Sequence, residues 1–160
     1  MDFNLMTGEH TAVAYSPTIP SSLARFHVPG ARELYATGDF GALLFYEQAG
    51  PDFSFWYKSY FIKQSTFLSA VAEAPLFQLC FSINRTLRFQ QQGMGKTRLP
   101  QGQFNILYAP AILNQTWFDK GKNTWCMIFT FPAATWKSCS RIFPTWPNSL
   151  LRPNWVYLAS

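Results

Sequence analysis

The sequence predicts a mainly β protein, an antiparallel barrel or sandwich, on three observations. Short alternating or aromatic-rich stretches recur about every 10 residues, and Gly- or Pro-containing turns separate them. Only one stretch, beyond Pro132, has apolar residues at helical spacing, which excludes a βαβ protein. Large aromatic residues fill 18% of the chain, the side chains that favour a pleated, half-buried surface.

The elements follow in order. Residues 1 to 39 are expected as an irregular arm, since Pro17, Pro20, Pro29 and Gly30 interrupt every period. A barrel is expected over 40 to 132. It opens with Phe40, Ala42, Leu44 and Tyr46 on one side and Leu43, Phe45 and Glu47 on the other. The turn Gly50-Pro51-Asp52 then leads into the strand Phe53 to Ile62. Phe67 to Ala74 reads as either a short strand or a helical turn. Phe77, Leu79, Phe81 and Ile83 alternate with smaller or polar residues, so a strand with one inward face is expected there. Arg85 to Gln91 continues as a strand, Gln92 to Lys96 turns, and Gln103 to Pro110 is another strand. Asn114 to Asp119 and Thr124 to Phe131 read as a hairpin across Lys120-Gly121-Lys122-Asn123, with Trp117 and Trp125 on its two strands. Trp136, Cys139, Ser140 and Phe143 fall at helical spacing within a C-terminal helical segment, 133 to 152.

Composition narrows the class. At 160 residues with 48% hydrophobic and 13% charged, the chain buries one core and is not disordered. The net charge of +5 permits an anionic partner without specifying one. Arg85, Arg88, Lys96 and Arg98 lie close together, but interleaved Gln and Gly make them the solvated face of a hairpin. The 3 cysteines, Cys80, Cys126 and Cys139, are too widely spaced for a disulfide framework or a metal knuckle. They read as small packing residues, and free thiols point to the cytoplasm. No signal peptide and no apolar run long enough to span a membrane is present, so no membrane partner is expected.

The titratable inventory weighs against catalysis. The 2 histidines, His10 and His27, both lie in the arm, so the barrel carries no imidazole to hold a divalent ion or serve as a base. No metal and no cofactor is expected. Glu47 and Glu73 are the carboxylates nearest to a buried pair, and solvent-facing positions suit them better. Gly93-Met94-Gly95-Lys96-Thr97 lacks the spacing and the strand-to-helix context of a phosphate loop. The aromatics are the informative class. Trp56, Tyr60, Phe81, Tyr108 and Trp125 are the expected ligand-binding set, because flat apolar faces with polar edges line small-molecule cavities.

Four segments carry a resemblance to a known family. Leu99-Pro100-Gln101-Gly102-Gln103-Phe104-Asn105-Ile106-Leu107-Tyr108-Ala109-Pro110 resembles the second half of a cupin-type barrel, a tight glycine turn before a strand ending in proline. Trp56 to Ile62, Leu76 to Ile83 and Trp125 to Phe131, followed by a helix and Phe143-Pro144, resemble the N-terminal effector-binding domain of AraC-family transcription regulators. The resemblance covers roughly residues 40 to 150 and lies in the order and spacing of loose motifs.

It implies a cupin-like double-stranded β-helix, a jelly roll without catalytic metal, sensing a small-molecule effector such as a sugar or other metabolite. It also implies a homodimer through external helices, with Trp136, Cys139, Ser140 and Phe143 as the dimer face. DNA in that family is read by a C-terminal pair of helix-turn-helix motifs, for which a chain ending at Ser160 has no room. The expectation is therefore a sensor domain, not an enzyme, that touches DNA only through a further domain. Two alternatives stand beside it: a carbohydrate-binding β-sandwich, and a metal-free cupin enzyme such as a sugar-nucleotide isomerase with Glu47 or His27 as base.

Overall fold

The computed structural model describes residues 4–8, 11–16, 18–23, 28–72, 76–91, 95–109, 112–132 and 156–159. Its strands in chain order are β1 (Asn4–Thr7), β2 (Arg32–Gly38), β3 (Gly41–Ala49), β4 (Ser54–Ile62), β5 (Thr66–Ala72) and β6 (Leu76–Ser82). They continue with β7 (Leu87–Gln91), β8 (Lys96–Leu99), β9 (Phe104–Ala109), β10 (Ile112–Phe118), β11 (Asn123–Pro132) and β12 (Val156–Ala159). They form two antiparallel sheets, one ordered β1-β5-β10-β7-β8 and the other β12-β9-β6-β11-β4-β3-β2.

The pairings describe one long hairpin wound into a helix. β7 pairs with β8, β6 with β9, β5 with β10 and β4 with β11, as the two arms of a single hairpin bent back and forth between the sheets. Winding then brings β6 beside β11 and β7 beside β10. That is the double-stranded β-helix, the jelly roll expected above, and it follows from the pairing alone. The hairpin β2–β3 extends the larger sheet beyond β4, and β12 closes its other edge against β9.

Between the sheets lies the core: Leu43, Phe45, Trp56, Tyr60, Cys80, Leu107 and Cys126 from the larger sheet meet Leu5, Leu68, Leu87, Phe89, Leu99 and Phe118 from the smaller one. Strand alternation places these residues. On β3, Leu43, Phe45 and Glu47 share the inner face, directly opposite Tyr60, Lys58 and Trp56 of β4.

Three expectations change. Residues 1 to 39 are not wholly irregular, because β1 adds to β5 and β2 to β3. The prolines hid a short alternating run in which Leu34 and Ala36 face Phe45 and Leu43. Phe67 to Ala74, left open between strand and helical turn, contributes to β5. Trp117 and Trp125 do not face each other across a hairpin, since β10 and β11 belong to different sheets. The connecting turn, with Gly121 at φ 70°, serves a crossover as well as a hairpin, so turn chemistry alone could not decide the pairing. The C-terminal helix of 133 to 152, with Trp136, Cys139, Ser140 and Phe143, lies outside the described residues, as do His10, His27 and Glu73.

One turn is sterically determined. Gly38 pairs with Gly41 across the two-residue loop Asp39-Phe40. Gly41 sits at φ 125°, where a Cβ would stand 2.0 Å from the carbonyl oxygen of Phe61. Gly41→Ala is therefore expected to destabilise the fold by about 2–4 kcal/mol, read as a lowered thermal midpoint. Gly95→Ala, where an added Cβ meets nothing within 4 Å, serves as the neutral control. Equal midpoints for the two variants would contradict the assignment.

Candidate functional site

Two features of the barrel carry chemistry: a polar layer in its interior and a groove at one end. The interior layer comes from alternation on the central strands. On β4, Trp56, Lys58 and Tyr60 share one face, and Cys126 of β11 lies opposite Lys58. On β6, Ser82 lies opposite Cys126, and Cys80 opposite Ile128. Cys80 in turn faces Asn105 on β9. An ammonium, two thiols, a phenol and a carboxamide thus share the inner face of adjacent strands.

Their electrostatics are mutual. Cys126 is the acceptor: the Cys80 thiol and the Tyr60 hydroxyl hydrogen-bond to its sulfur, and Lys58 adds a positive charge nearby. The Cys80 bond, with those other two, holds Cys126 below the usual thiol range against the opposing effect of burial. The same bond, with burial, pushes the Cys80 thiol well up. Burial, reinforced by the two cysteines, keeps the Tyr60 phenol protonated far above its ordinary range. Lys58 is lowered by burial, and its Nζ stands 5.2 Å from the ring centres of both Phe45 and Trp56. Such rings attract an ammonium and offset part of its lost hydration.

Glu47, on β3 opposite Trp56, extends this face. It is 4% exposed, accepts a hydrogen bond from the Ser54 hydroxyl at 3.1 Å, and meets Arg32 at 3.4 Å. The sequence suggested a solvent-facing carboxylate here. Its parity with Leu43 and Phe45 puts it inside, where serine and arginine compensate the buried charge.

The groove, with a volume of about 1130 Å³, runs along the barrel end where the β2–β3 and β4–β5 turns meet β1, β7, β8 and the end of β10. One side is a cross-strand row: Phe67 of β5 faces Trp117 of β10, Trp117 faces Arg88 of β7, and Arg88 faces Arg98 of β8. Phe67 and Trp117 have ring centres 6.2 Å apart, and Lys96 Nζ stands 5.4 Å from the Trp117 ring. Phe40, Phe89 and Phe118 border the groove from the interior of the roll, since Phe89 and Phe118 alternate with Arg88 and Trp117 and face the core. Phe118 lies 4.4 Å from Tyr60 between ring centres, so the groove touches the interior layer through one aromatic contact.

Charge along the groove is uneven. Arg88 and Arg98, directly opposite each other, repel. Arg88 is compensated by an ion pair with Asp119, which Lys122 also meets at 3.0 Å. Lys96 and Arg98 leave the groove rim cationic on the β8 side, and both are exposed.

Of the expected ligand-binding residues, Trp56 and Tyr60 lie together on the inner face. Phe81 and Trp125 do not join them: Phe81 lies opposite Met127 and packs 5.3 Å from Phe104 and 6.2 Å from Phe129, on the other face of the sheet. Trp125, one residue before inward Cys126, shares that outer parity. Tyr108 holds the β9 position opposite Phe77, and its side chain is outside the described residues. The sequence reading passed over Lys58, Trp117 as a groove residue, and the joint placement of Cys80 and Cys126. Parity with Trp56 and Tyr60 on one strand was the available signal for Lys58.

No protein-family model matches the chain, and no curated protein sequence matches it. Solved structures of similar fold include a cupin 2 conserved barrel domain protein from Rhodopseudomonas palustris, at 12% identity and a TM-score of 0.47, covering 75% of this chain and 81% of that one. FeII HppE follows at 9% identity and 0.48, covering 74% of this chain and 64% of its own. The DMSP lyases RdDddP and RnDddQII stand at 12% and 0.46, covering 78% and 59%. These are neighbours in fold, and no family, substrate or cofactor passes from them to this chain. They do correct one expectation: similar folds include lyases, so the reading of the chain as a non-enzyme does not stand. Among the described residues no three His, Cys, Asp or Glu side chains gather to hold a metal ion, and no helix there is long and apolar enough to cross a membrane.

The groove's ion pairs set a pH dependence. Hydrogen bonds from Lys122 and then Arg88 hold the Asp119 carboxyl below the usual aspartate range. Its folded pKa is the lower one, so the contribution to stability is complete above the unfolded value and fades as pH falls through the folded value. Lys122→Ala should move the Asp119 titration, followed by carboxyl NMR, up toward the usual aspartate range. An unmoved midpoint would show that the pair does not act on the carboxyl.

Proposed function

We propose that the chain is a small-molecule-binding domain that takes its ligand in the end groove. The observation that carries this is the Phe67–Trp117 aromatic surface flanked by Lys96 and Arg98. Such a surface suits a small acid with a planar or apolar portion: rings take the flat part, and the cationic rim takes the carboxylate or phosphate. Its concave, mixed lining has the character of known ligand sites.

The finer reading is an effector-sensing domain of an AraC-type regulator, with DNA contacted by a part of the protein outside this chain. It is supported by the sequence resemblance, whose four segments coincide with β4, β6, β9 and β11, side by side in the larger sheet. In that reading, occupancy of the groove shifts Phe118 against Tyr60 and biases the barrel between two arrangements, a population shift in favour of the better-fitting one. The Phe118–Tyr60 contact is the physical link this needs.

Trp117 makes binding visible. Titration with a panel of aromatic carboxylates, phosphorylated sugars and neutral sugars is expected to give a saturable change in tryptophan fluorescence for acidic members only, absent in Trp117→Phe. Lys96→Ala combined with Arg98→Ala should weaken that binding about tenfold, ~1.4 kcal/mol. Equal responses to neutral sugars, or affinity indifferent to the double variant, would remove the groove from the account.

A further inference from the structure

We propose that Cys80 and Cys126 form a two-coordinate site for a soft monovalent metal ion, Cu(I), inside the barrel. The two residues are diagonal neighbours on the inner face of adjacent antiparallel strands, Cys126 opposite Ser82 and Cys80 opposite Ile128. Both are free and buried. Diagonal positions stand roughly 7–8 Å apart at Cα, beyond the span of an unstrained disulfide, whereas an ion between two sulfurs bridges a wider gap.

The donor set selects the ion. Among the described residues no third His, Cys, Asp or Glu joins the pair, which leaves a tetrahedral zinc site two ligands short of its usual four. Thiolate donors favour soft ions, Cu(I) among them. Two thiolates around a monovalent ion carry one net negative charge, and a buried net charge is costly unless compensated. Lys58, directly opposite Cys126 on β4, supplies positive charge beside the sulfurs, as it also does for Glu47 on the same face.

A second observation points to the same place. Asn105, directly opposite Cys80, is fully buried, and both polar atoms of its carboxamide lack a hydrogen-bond partner among the described residues. Buried amides are ordinarily satisfied, and a metal-bound thiolate accepts the N–H that Asn105 offers. Tyr60 already donates to Cys126 and would keep that bond. Binding is ligand exchange without electron transfer: both sulfurs coordinate as thiolates, the remaining thiol protons leave to solvent, and Lys58 keeps its ammonium. The site is separate from the groove and does not rest on the groove's ligand.

The full chain, reduced and kept anaerobic, is titrated with Cu(I) in competition with bathocuproine disulfonate. One ion per chain is expected, retained in Cys139→Ser and lost in Cys80→Ser and in Cys126→Ser. Lys58→Met and Asn105→Ala should each weaken it about 10- to 100-fold, the usual effect of removing a supporting residue. Copper-edge X-ray absorption of the unaltered protein, which needs no variant to fold, should show two sulfur ligands. Failure to retain the ion, a shell other than two sulfurs, or a complex that survives Cys80→Ser overturns the proposal.

Discussion

Winding a hairpin into a closed roll obliges each strand to turn alternate side chains toward the opposite sheet, and β11, at the middle of the larger sheet, ties the strands of the interior layer together. Its pairing with β4 and β6 fixes three strands in one register. A slip of one residue on β11 would send Cys126 and Thr130 outward and bring Trp125, Met127 and Phe129 into the roll. The interior layer, and its contact with the groove through Tyr60 and Phe118, exist because that register holds. Apolar burial drives closure of the roll, while the polar members of the layer are kept by hydrogen bonds, aromatic faces and mutual charge.

The two candidate sites have different physical characters. The groove is wide and part-solvated, so recognition there depends on flat rings and on exposed cations whose attraction water and salt weaken. The interior layer is narrow and enclosed, so each charge weighs more and must be answered by a neighbour. Glu47 is answered by Ser54 and Arg32, and Cys126 by Cys80, Tyr60 and Lys58. Asn105 stands out against this background of compensated groups.

Much of the architecture was legible in the sequence, and for a clear reason. β3, β4, β6, β9 and β11 alternate apolar and other side chains strongly enough to announce themselves, and they are the strands nearest the middle of the larger sheet. β1 is only 4 residues long and β2 follows Pro29-Gly30, and the pairing of both is set by contacts outside their own sequence. The turn at Gly121 looked like a hairpin because local backbone chemistry is blind to whether the chain returns beside itself or crosses to another sheet. The site was legible only by halves. Parity on one strand groups Trp56, Lys58 and Tyr60, but relating that parity to Phe81 and Trp125 takes the register between strands, which no single strand encodes. Glu47 reads as a surface residue because charge usually is.

The most direct test of the account follows backbone amide resonances while an acidic aromatic ligand is added. Perturbations should centre on Phe40, Phe67, Phe89, Lys96 and Trp117 and extend through Phe118 to Tyr60, leaving Phe55 and Phe129 on the outer face unmoved. Perturbations centred on Phe55, Phe81 and Phe129 instead would contradict it.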